Sequence, residues 1–120
     1  MNDKFIKEMF DNLKKRKSIN QKKSYTAYLI NNPELLAKKI GEESSELIID
    51  FIKKNKEGIV NESADLMYHL IVLWISVGVD PQDIWQELSN RRHKSGFEEK
   101  NSRSWKWTIV MTRIIFLLKF

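Results

Sequence analysis

The stretch KKIGEESSELIIDFIKKNKEGIVNESADLMYHLIVLW, residues 38–74, predicts two long helices and carries two acidic groups. The members are Glu42, Glu43 and Glu46 in the first group, and Glu62 and Asp65 in the second. A three-residue spacing places two helical side chains on one face, so each group can direct paired carboxylates at one point. Negative charge among apolar residues is costly unless a cation compensates it. Because Mg²⁺ prefers carboxylate and phosphate oxygens, the pattern indicates a metal-dependent phosphate enzyme.

Helical periodicity predominates in the rest of the chain, which contains two prolines and four glycines. It predicts an all-α bundle of about four to five helices. A first amphipathic helix is expected over residues 3–15, followed by a short helical stretch at SYTAYL. Asn32 is the expected N-cap of the first long helix, which has Pro33 at its first position and ends near Lys54.

The second long helix is expected over Ile59–Val77, between a turn at Asn55–Gly58 and the stop signal Gly78. Measured from that turn, the two acidic pairs differ in height by about five residues, or roughly 7 Å at the helical rise. Spacing alone therefore does not show that the pairs meet. Asp80 is expected to cap the next helix, which ends near Arg91–Lys94. Ser95 and Glu98 have the spacing of a capping box and are expected to start a final helix.

Composition narrows the class of protein. The 120 residues correspond to one domain, and the absence of cysteine excludes disulfides, thiolate zinc sites and a cysteine nucleophile. The N-terminus lacks the apolar run of a signal peptide, so we expect a cytoplasmic protein. The net charge is +5, and bases concentrate at Lys14, Lys15, Arg16, Lys17, Lys22 and Lys23. Such a run is ordinarily a solvated face, and we expect no nucleic-acid partner.

The helix predicted at Ile59–Val77 is apolar on nearly every side, and one short chain has few helices to cover it. We therefore expect a homodimer. The expected contact residues are Leu66, Leu70, Leu73 and Trp74. The apolar and basic segment 104–120 complicates this expectation, because Ile109–Phe120 could fold back over the same helix. The segment falls below a comfortable membrane span, so we expect an extra packing helix or strand, ahead of interfacial membrane contact or a non-native extension, and no stable membrane insertion.

Five segments stand in an order typical of a known family. They are RK (Arg16–Lys17), SYTAYL (Ser24–Leu29), KKIGEESSE (Lys38–Glu46), ESADLMYHLIVLW (Glu62–Trp74) and SGFEEKNSR (Ser95–Arg103). On these segments the chain resembles the phosphoribosyl-ATP pyrophosphohydrolase family of histidine biosynthesis, which is one of the all-α, MazG-like nucleotide pyrophosphohydrolases. The acidic pairs mark the broader superfamily, whereas SYT, KKIGEE and SGFEEK select the histidine-pathway enzyme.

The resemblance implies Mg²⁺-dependent hydrolysis of the α–β phosphoanhydride of phosphoribosyl-ATP, giving phosphoribosyl-AMP and pyrophosphate. The implied metal ligands are Glu43, Glu46, Glu62 and Asp65, and Glu42 has a supporting or base role. The implied phosphate partners are Arg16, Lys17, Lys38 and Lys39, although each base by itself is ordinarily only solvated. Ser24 and Thr26 either hydrogen-bond the substrate or cap a helix.

Several alternatives remain open. His69, one turn after Asp65, either orients a ligand carboxylate or is a satisfied core histidine beside Tyr68. A housecleaning pyrophosphohydrolase for nucleoside triphosphates would share the acidic pairs, and a non-catalytic helical dimer or binding module would leave them exposed. The predicted division of the chain is a pyrophosphohydrolase domain at residues 1–103 and an extension of unknown role at residues 104–120.

Overall fold

The computed structural model describes residues 3–98, 100–102 and 112–113, and every regular element in this part of the chain is helical. The elements are α1 (Asp3–Lys15), a 3-10 turn (Arg16–Ser18), α2 (Tyr25–Ile30), α3 (Pro33–Ile52), α4 (Lys56–Val77) and α5 (Pro81–Arg91). The all-α prediction is therefore confirmed. No single helix among these residues is long and apolar enough to cross a membrane, although α4 and α5, counted together across their bend, reach the length and composition of a span.

Two compact units divide the chain, Met1–Asp83 and Ile84–Phe120. The first contains α1 to α4 and the start of α5, and the second contains the remainder of α5. The division predicted after residue 103 stays a prediction, since residues 103–111 and 114–120 lie outside the described part of the chain. The packing element expected within residues 104–120 lies largely outside it as well.

Side-chain caps occur at the two predicted positions beyond α4. The backbone N–H of Asp80 donates to the Asp83 carboxylate at 3.1 Å, and the Asp80 carboxylate accepts from the N–H of Gln82 at 2.8 Å. Ser95 and Glu98 form a reciprocal capping box, in which each backbone N–H donates to the other side chain, at 3.3 and 3.1 Å. Asn32 precedes α3 as predicted, but its side chain does not cap that helix. It donates instead to a carbonyl oxygen of α2 at 2.7 Å.

The turn between α3 and α4 differs from the prediction. Lys54 adopts a left-handed conformation with φ of 57°, and the N–H of Asn55 donates to the Asp50 carbonyl at 2.9 Å, which closes a Schellman motif. The Asn55 side chain then accepts from the N–H of Gly58 at 3.2 Å, so α4 begins at Lys56. The turn predicted at Asn55–Gly58 is therefore wrong. A Cβ on Gly58 would stand 2.5 Å from the Asp50 carboxylate, so this glycine allows the two helix ends to approach closely.

Moving the turn to Lys54 changes the relative height of the acidic residues. Glu46 and Glu62 lie eight residues before and after Lys54, and Glu43 and Asp65 lie eleven before and after it. Residues at equal distances from a tight helical turn stand at equal heights in the two helices, because both helices rise by the same amount per residue. The expected offset of about five residues therefore does not occur.

Helix α4 is the central element of the first unit, because α1, α2 and α3 all contact it. Leu29 of α2, Leu36 of α3 and Val72 of α4 form one buried cluster. Ile71 and Ile75 are buried in the same half of α4. Burying a side chain of this size stabilises a fold by about 1.5–3 kcal/mol, so the C-terminal half of α4 supplies much of the core.

Large apolar side chains remain exposed toward the α3–α4 turn. They are Ile48, Ile49, Phe51, Ile52 and Val60, which we call the turn-end patch. Phe51 and Ile52 are the most exposed of these, at 71% and 72%. Trp74 was an expected dimer contact, but that prediction is wrong because only 7% of its surface is exposed within one chain. Leu66, Leu70 and Leu73 are partly buried.

Candidate functional site

Acidic side chains from α3 and α4 converge at one point. Glu43 of α3 and Glu62 and Asp65 of α4 each place one carboxylate oxygen within 4.8 Å of the other two. Glu46, one turn after Glu43 on α3, adjoins Glu62 closely enough to alter its protonation. The fold thus brings together all four residues that were predicted as metal ligands, because the turn at Lys54 sets the two pairs at one height.

Hydrogen bonding between neighbouring carboxyl groups, together with charge repulsion, perturbs this acidic cluster. A hydrogen bond with Glu62 is the main cause that raises the pKa of Glu46, and the charge of Glu62 adds to it. A hydrogen bond with Glu43 is the main cause that raises the pKa of Glu62, and the charges of Glu43 and Asp65 add to it. A second negative charge at short range favours the protonated, neutral form of a carboxyl group. The ionised cluster therefore carries negative charge that its own members do not compensate.

One oxygen of the acidic cluster is both buried and unpartnered. Oε2 of Glu62 accepts no hydrogen bond from any described residue, and its polar neighbours are other carboxylates. A carboxyl neighbour can donate to it only when protonated, and a buried anionic oxygen without a donor is costly. A set made only of carboxylate oxygens suits a hard divalent cation such as Mg²⁺, because such ions select oxygen ligands over nitrogen and sulfur.

Glu42 belongs to a separate group beside the acidic cluster. Its carboxylate lies 3.2 Å from Nζ of Lys39 and 3.8 Å from Nζ of Lys38. The hydrogen bond with Glu42, together with its charge, raises the pKa of Lys39, and the charge of Glu43 adds to this. Glu42 thus holds two cationic side chains next to the cluster, where they are exposed or half-buried.

Ser24 and Thr26 have internal partners in the fold, and both are buried. Oγ of Ser24 accepts a hydrogen bond from the Ala27 N–H at 3.2 Å and so caps α2. Oγ1 of Thr26 lies 2.6 Å from the Tyr68 hydroxyl, which ties α2 to α4. For Ser24 the helix-capping alternative is confirmed, and a substrate contact by either residue stays a prediction.

The sequence reasoning missed a pair of stacked tyrosines next to the acidic cluster. The rings of Tyr25 and Tyr68 have centroids 6.4 Å apart and planes inclined by 13°, and half of Tyr25 is exposed. Burial raises the pKa of the Tyr68 phenol, and Arg16 is close enough for its positive charge to oppose that rise. The one available signal was the three-residue spacing from Asp65 to Tyr68, which puts both on one face of α4.

His69 is a core residue and does not contact the Asp65 carboxylate through any hydrogen bond the structure shows. Its Nδ1 lies 2.8 Å from the backbone carbonyl oxygen of Asp65. Because a carbonyl only accepts, Nδ1 carries the hydrogen, and Nε2 is buried without a partner among the described residues. The ring packs edge-on against Tyr68, with centroids 5.1 Å apart. The prediction of a core histidine is confirmed, but the prediction that its ring is satisfied is wrong, because Nε2 has no described partner.

Arg16 and Lys17 lie in the 3-10 turn, outside the two helices that carry the acidic cluster, and both are exposed. That turn packs against α1 and α2. It therefore presents two cations from a segment that the hydrophobic core does not use. A role for either in substrate binding stays a prediction at this point.

Comparison with known proteins connects this geometry to a family. The model of the family described as phosphoribosyl-ATP pyrophosphohydrolase matches residues 6–92. A phosphoribosyl-ATP pyrophosphatase of Paramagnetospirillum magneticum is 40% identical over 104 residues, covering 86% of this chain and 95% of the relative. A relative of the same name from Azospirillum brasilense is 37% identical, covering 82% of this chain and 89% of its own. Another from Saccharolobus islandicus is 44% identical, covering 75% of this chain and 93% of the relative.

Proposed function

The chain belongs to the phosphoribosyl-ATP pyrophosphohydrolase family, and on that premise we propose that it hydrolyses phosphoribosyl-ATP to phosphoribosyl-AMP and pyrophosphate. This is the second step of histidine biosynthesis and the cleavage of a phosphoanhydride. The observation that carries the proposal is the convergence of Glu43, Glu62 and Asp65 on one point between α3 and α4. Three carboxylates at this range have no structural use in a fold whose core lies elsewhere, but they suit a cation that binds polyphosphate.

The proposed cofactor is Mg²⁺, held by Glu43, Glu46, Glu62 and Asp65. The unpartnered, buried Oε2 of Glu62 supports this assignment, because a cation would complete its coordination. When bound, Mg²⁺ would neutralise phosphate charge and stabilise the leaving pyrophosphate.

The protein's own side chains have complementary tasks around the cluster. Lys38 and Lys39 stand beside the acids and would contact phosphate oxygens, while Glu42 orients both ammonium groups. Hydrolysis requires a base to take a proton from the attacking water, and Glu42 is proposed as that base or as support for it.

The direct test uses the purified full chain with Mg²⁺. It is incubated separately with phosphoribosyl-ATP and with a panel of ordinary and damaged nucleoside triphosphates, and pyrophosphate release is measured. We expect the largest kcat/KM for phosphoribosyl-ATP. Equal or faster turnover of a triphosphate would assign the chain to the housecleaning relatives instead.

A homodimer is the proposed working unit. The turn-end patch supports it, because its five large apolar side chains in water cost on the order of 25 cal/mol per Å² of apolar area. The proposed contact surface therefore moves from Trp74, which is buried, toward the α3–α4 turn and the half-buried Leu66, Leu70 and Leu73. The cytoplasmic location and the absence of a nucleic-acid partner remain predictions.

Light scattering tests the dimer against the alternative that residues 104–120 cover the same surface. The full chain and a chain truncated after residue 103 are compared with the Phe51→Ser variant, which reduces the turn-end patch. We expect the full chain to be dimeric and Phe51→Ser to dissociate at higher concentration. A monomeric full chain that self-associates only after truncation would show that the tail is the cover.

A further inference from the structure

We propose that Arg16, assisted by Lys17, binds the phosphate of the substrate's phosphoribosyl group and so discriminates phosphoribosyl-ATP from ATP. The inference rests on the proposed function and deepens it, because it assigns a second anion site at a distance from the acidic cluster. The two substrates share the triphosphate and differ by a phosphoribosyl group. A residue that binds only that group would therefore determine specificity.

The first observation is a basic segment without internal neutralisation. Residues 12–33 contain six lysines and arginines and no aspartate or glutamate. In the described part of the chain these six bases form no ion pair, although five pairs occur elsewhere in it. The uncompensated positive charge attracts anions to this surface in particular. The net charge of +5, taken alone, would not indicate where on the protein an anion binds.

The second observation is that this segment is held in a defined conformation. The N–H of Ile19 donates to the Arg16 carbonyl at 3.0 Å, which closes the 3-10 turn. The Asn20 side chain accepts from the Lys22 N–H at 2.8 Å, and the Asn20 carbonyl accepts from the Lys23 N–H at 2.9 Å. Since the backbone that carries Arg16 is fixed, less conformational entropy is lost when its guanidinium binds an anion.

The third observation links Arg16 to the acidic cluster through aromatic rings. Arg16 is close enough to Tyr68 for its charge to act on the phenol, and Tyr68 stacks on Tyr25. Tyr25 in turn is within electrostatic range of Lys39, which adjoins the cluster. A series of side chains within electrostatic range of one another therefore leads from the metal-ligand candidates to the 3-10 turn, which packs directly against the helix that carries Tyr25. Half of Tyr25 is exposed along this series, where a purine ring could lie against it.

The chemistry of the substrate matches the two ends of this series. The triphosphate must reach the acidic cluster, because the anhydride is cleaved where the metal binds. Those carboxylates would repel a second phosphate that no metal compensates, so the phosphoribosyl phosphate requires cations elsewhere. Arginine presents a planar fork of N–H donors that can bind a phosphate through two hydrogen bonds, and lysine cannot reproduce this geometry.

The experiment compares kcat and KM for phosphoribosyl-ATP and for ATP in the full chain with Mg²⁺. The variants are Arg16→Ala and Arg16→Lys, and the matched control is Lys53→Ala, which removes one exposed positive charge at the end of α3. Inhibition by ribose 5-phosphate provides a second readout that needs no turnover of phosphoribosyl-ATP. Thermal melting followed by circular dichroism verifies that each variant folds.

We expect Arg16→Ala to raise KM for phosphoribosyl-ATP by about tenfold to a hundredfold, as for a lost charge-assisted hydrogen bond. Its kcat, and kcat/KM for ATP, should stay within about twofold, and inhibition by ribose 5-phosphate should weaken in parallel. Arg16→Lys should be intermediate, and Lys53→Ala should match the wild type.

Three results would overturn the inference. An equal loss of kcat/KM for phosphoribosyl-ATP and for ATP would place Arg16 at the triphosphate. An unchanged KM for phosphoribosyl-ATP would show that Arg16 does not bind the substrate. An equal effect of Lys53→Ala would show that only the overall positive charge of the protein matters. Failure of the proposed function is distinguishable, because it appears in the wild-type protein as no preference for phosphoribosyl-ATP over ATP.

Discussion

The two halves of α4 differ in burial and in charge. In the C-terminal half Ile71, Val72 and Ile75 are buried by α1, α2 and α3. In the N-terminal half Glu62 and Asp65 concentrate negative charge, and Val60 is 67% exposed. One continuous helix therefore carries the core at one end and an electrostatically unfavourable site at the other.

This difference separates stability from function along the helix axis. The C-terminal half packs mainly through apolar contacts within the chain, which need no ligand, although Nε2 of His69 is buried there without a described partner and Val77 is exposed. The N-terminal half has an unpartnered carboxylate oxygen and exposed apolar side chains, which a cation and a second copy of the chain would satisfy. Functional sites commonly store such unfavourable arrangements, because their energy is released on binding. The following substitutions test how complete this separation is.

The largest effect is expected for amide substitutions in the acidic cluster. Changing Glu43, Glu62 or Asp65 to the matching amide should lower kcat/KM by about a hundredfold or more, because the cation loses an anionic ligand. Pyrophosphate release at saturating Mg²⁺ measures the loss, and circular dichroism should show an unchanged fold. Glu57→Gln is the matched control, since Glu57 is an exposed acid in the first turn of α4. If two cluster variants retained near-normal activity, the metal site would be wrongly assigned.

Alanine substitutions in the two halves of α4 should differ in their effect on folding. Ile71→Ala removes a fully buried side chain and should lower the free energy of unfolding by about 2–5 kcal/mol. Val60→Ala removes a mostly exposed one and should change the stability of the monomer by less than about 0.5 kcal/mol. Urea unfolding at several protein concentrations measures both and separates folding from self-association. Comparable losses in the two variants at low protein concentration would show that the chain itself also covers the N-terminal half.

The acidic cluster should make the metal-free protein less stable at neutral pH than at acid pH. The folded-state pKa values of Glu46 and Glu62 are raised above the ordinary value of 4.5. Below that value both states are protonated, so the shift has no effect. As the pH rises above 4.5, these carboxyl groups lose their protons in the unfolded state before they do so in the folded state. The free energy of unfolding therefore falls, and the fall is complete once the pH exceeds the folded-state pKa.

Thermal unfolding of wild type and Glu62→Gln tests this pH dependence. At pH 7 without metal, Glu62→Gln should have the higher Tm, because it removes one of the repelling charges. The difference should vanish below pH 4.5, and saturating Mg²⁺ should reverse it by stabilising the wild type alone. A wild type that is more stable than Glu62→Gln at pH 7 in the presence of a chelator would contradict the repulsion.

The smallest effects are expected at the C-terminal ends of α3 and α4, which share a Schellman geometry but not a residue type. Lys54 adopts φ of 57° and Gly78 adopts φ of 76°. A non-glycine residue in the left-handed conformation costs the folded state about 1–2 kcal/mol. Replacing it with glycine removes that cost but adds conformational entropy to the unfolded state, which cancels about 0.5–1 kcal/mol of the gain. Lys54→Gly should therefore stabilise the fold by up to about 1 kcal/mol, and Gly78→Ala should destabilise it by a similar amount. Urea midpoints measure both changes, and shifts of the same sign would refute the assigned conformations.

Local patterns in the sequence determined the helices, their apolar faces and the pairing of acids within each helix. Helical hydrogen bonds connect residues four apart, so the periodicity, the Asp80 cap, the Ser95 capping box and the Gly78 stop are all readable over short stretches. The motifs shared with the family were readable for the same reason, and they predicted Glu43, Glu46, Glu62 and Asp65 as metal ligands.

The tertiary structure alone decided whether the two acidic pairs meet. Glycine is the usual residue of a left-handed turn, so Gly58 was the natural choice for its position, yet Lys54 occupies the turn and Gly58 packs against Asp50. Packing between α3 and α4 selected that turn and thereby set the acids at equal height. The contact of Thr26 with Tyr68, 42 positions apart, likewise depends on how α2 lies on α4. Such relations follow from the balance of many distant contacts, which no local pattern records.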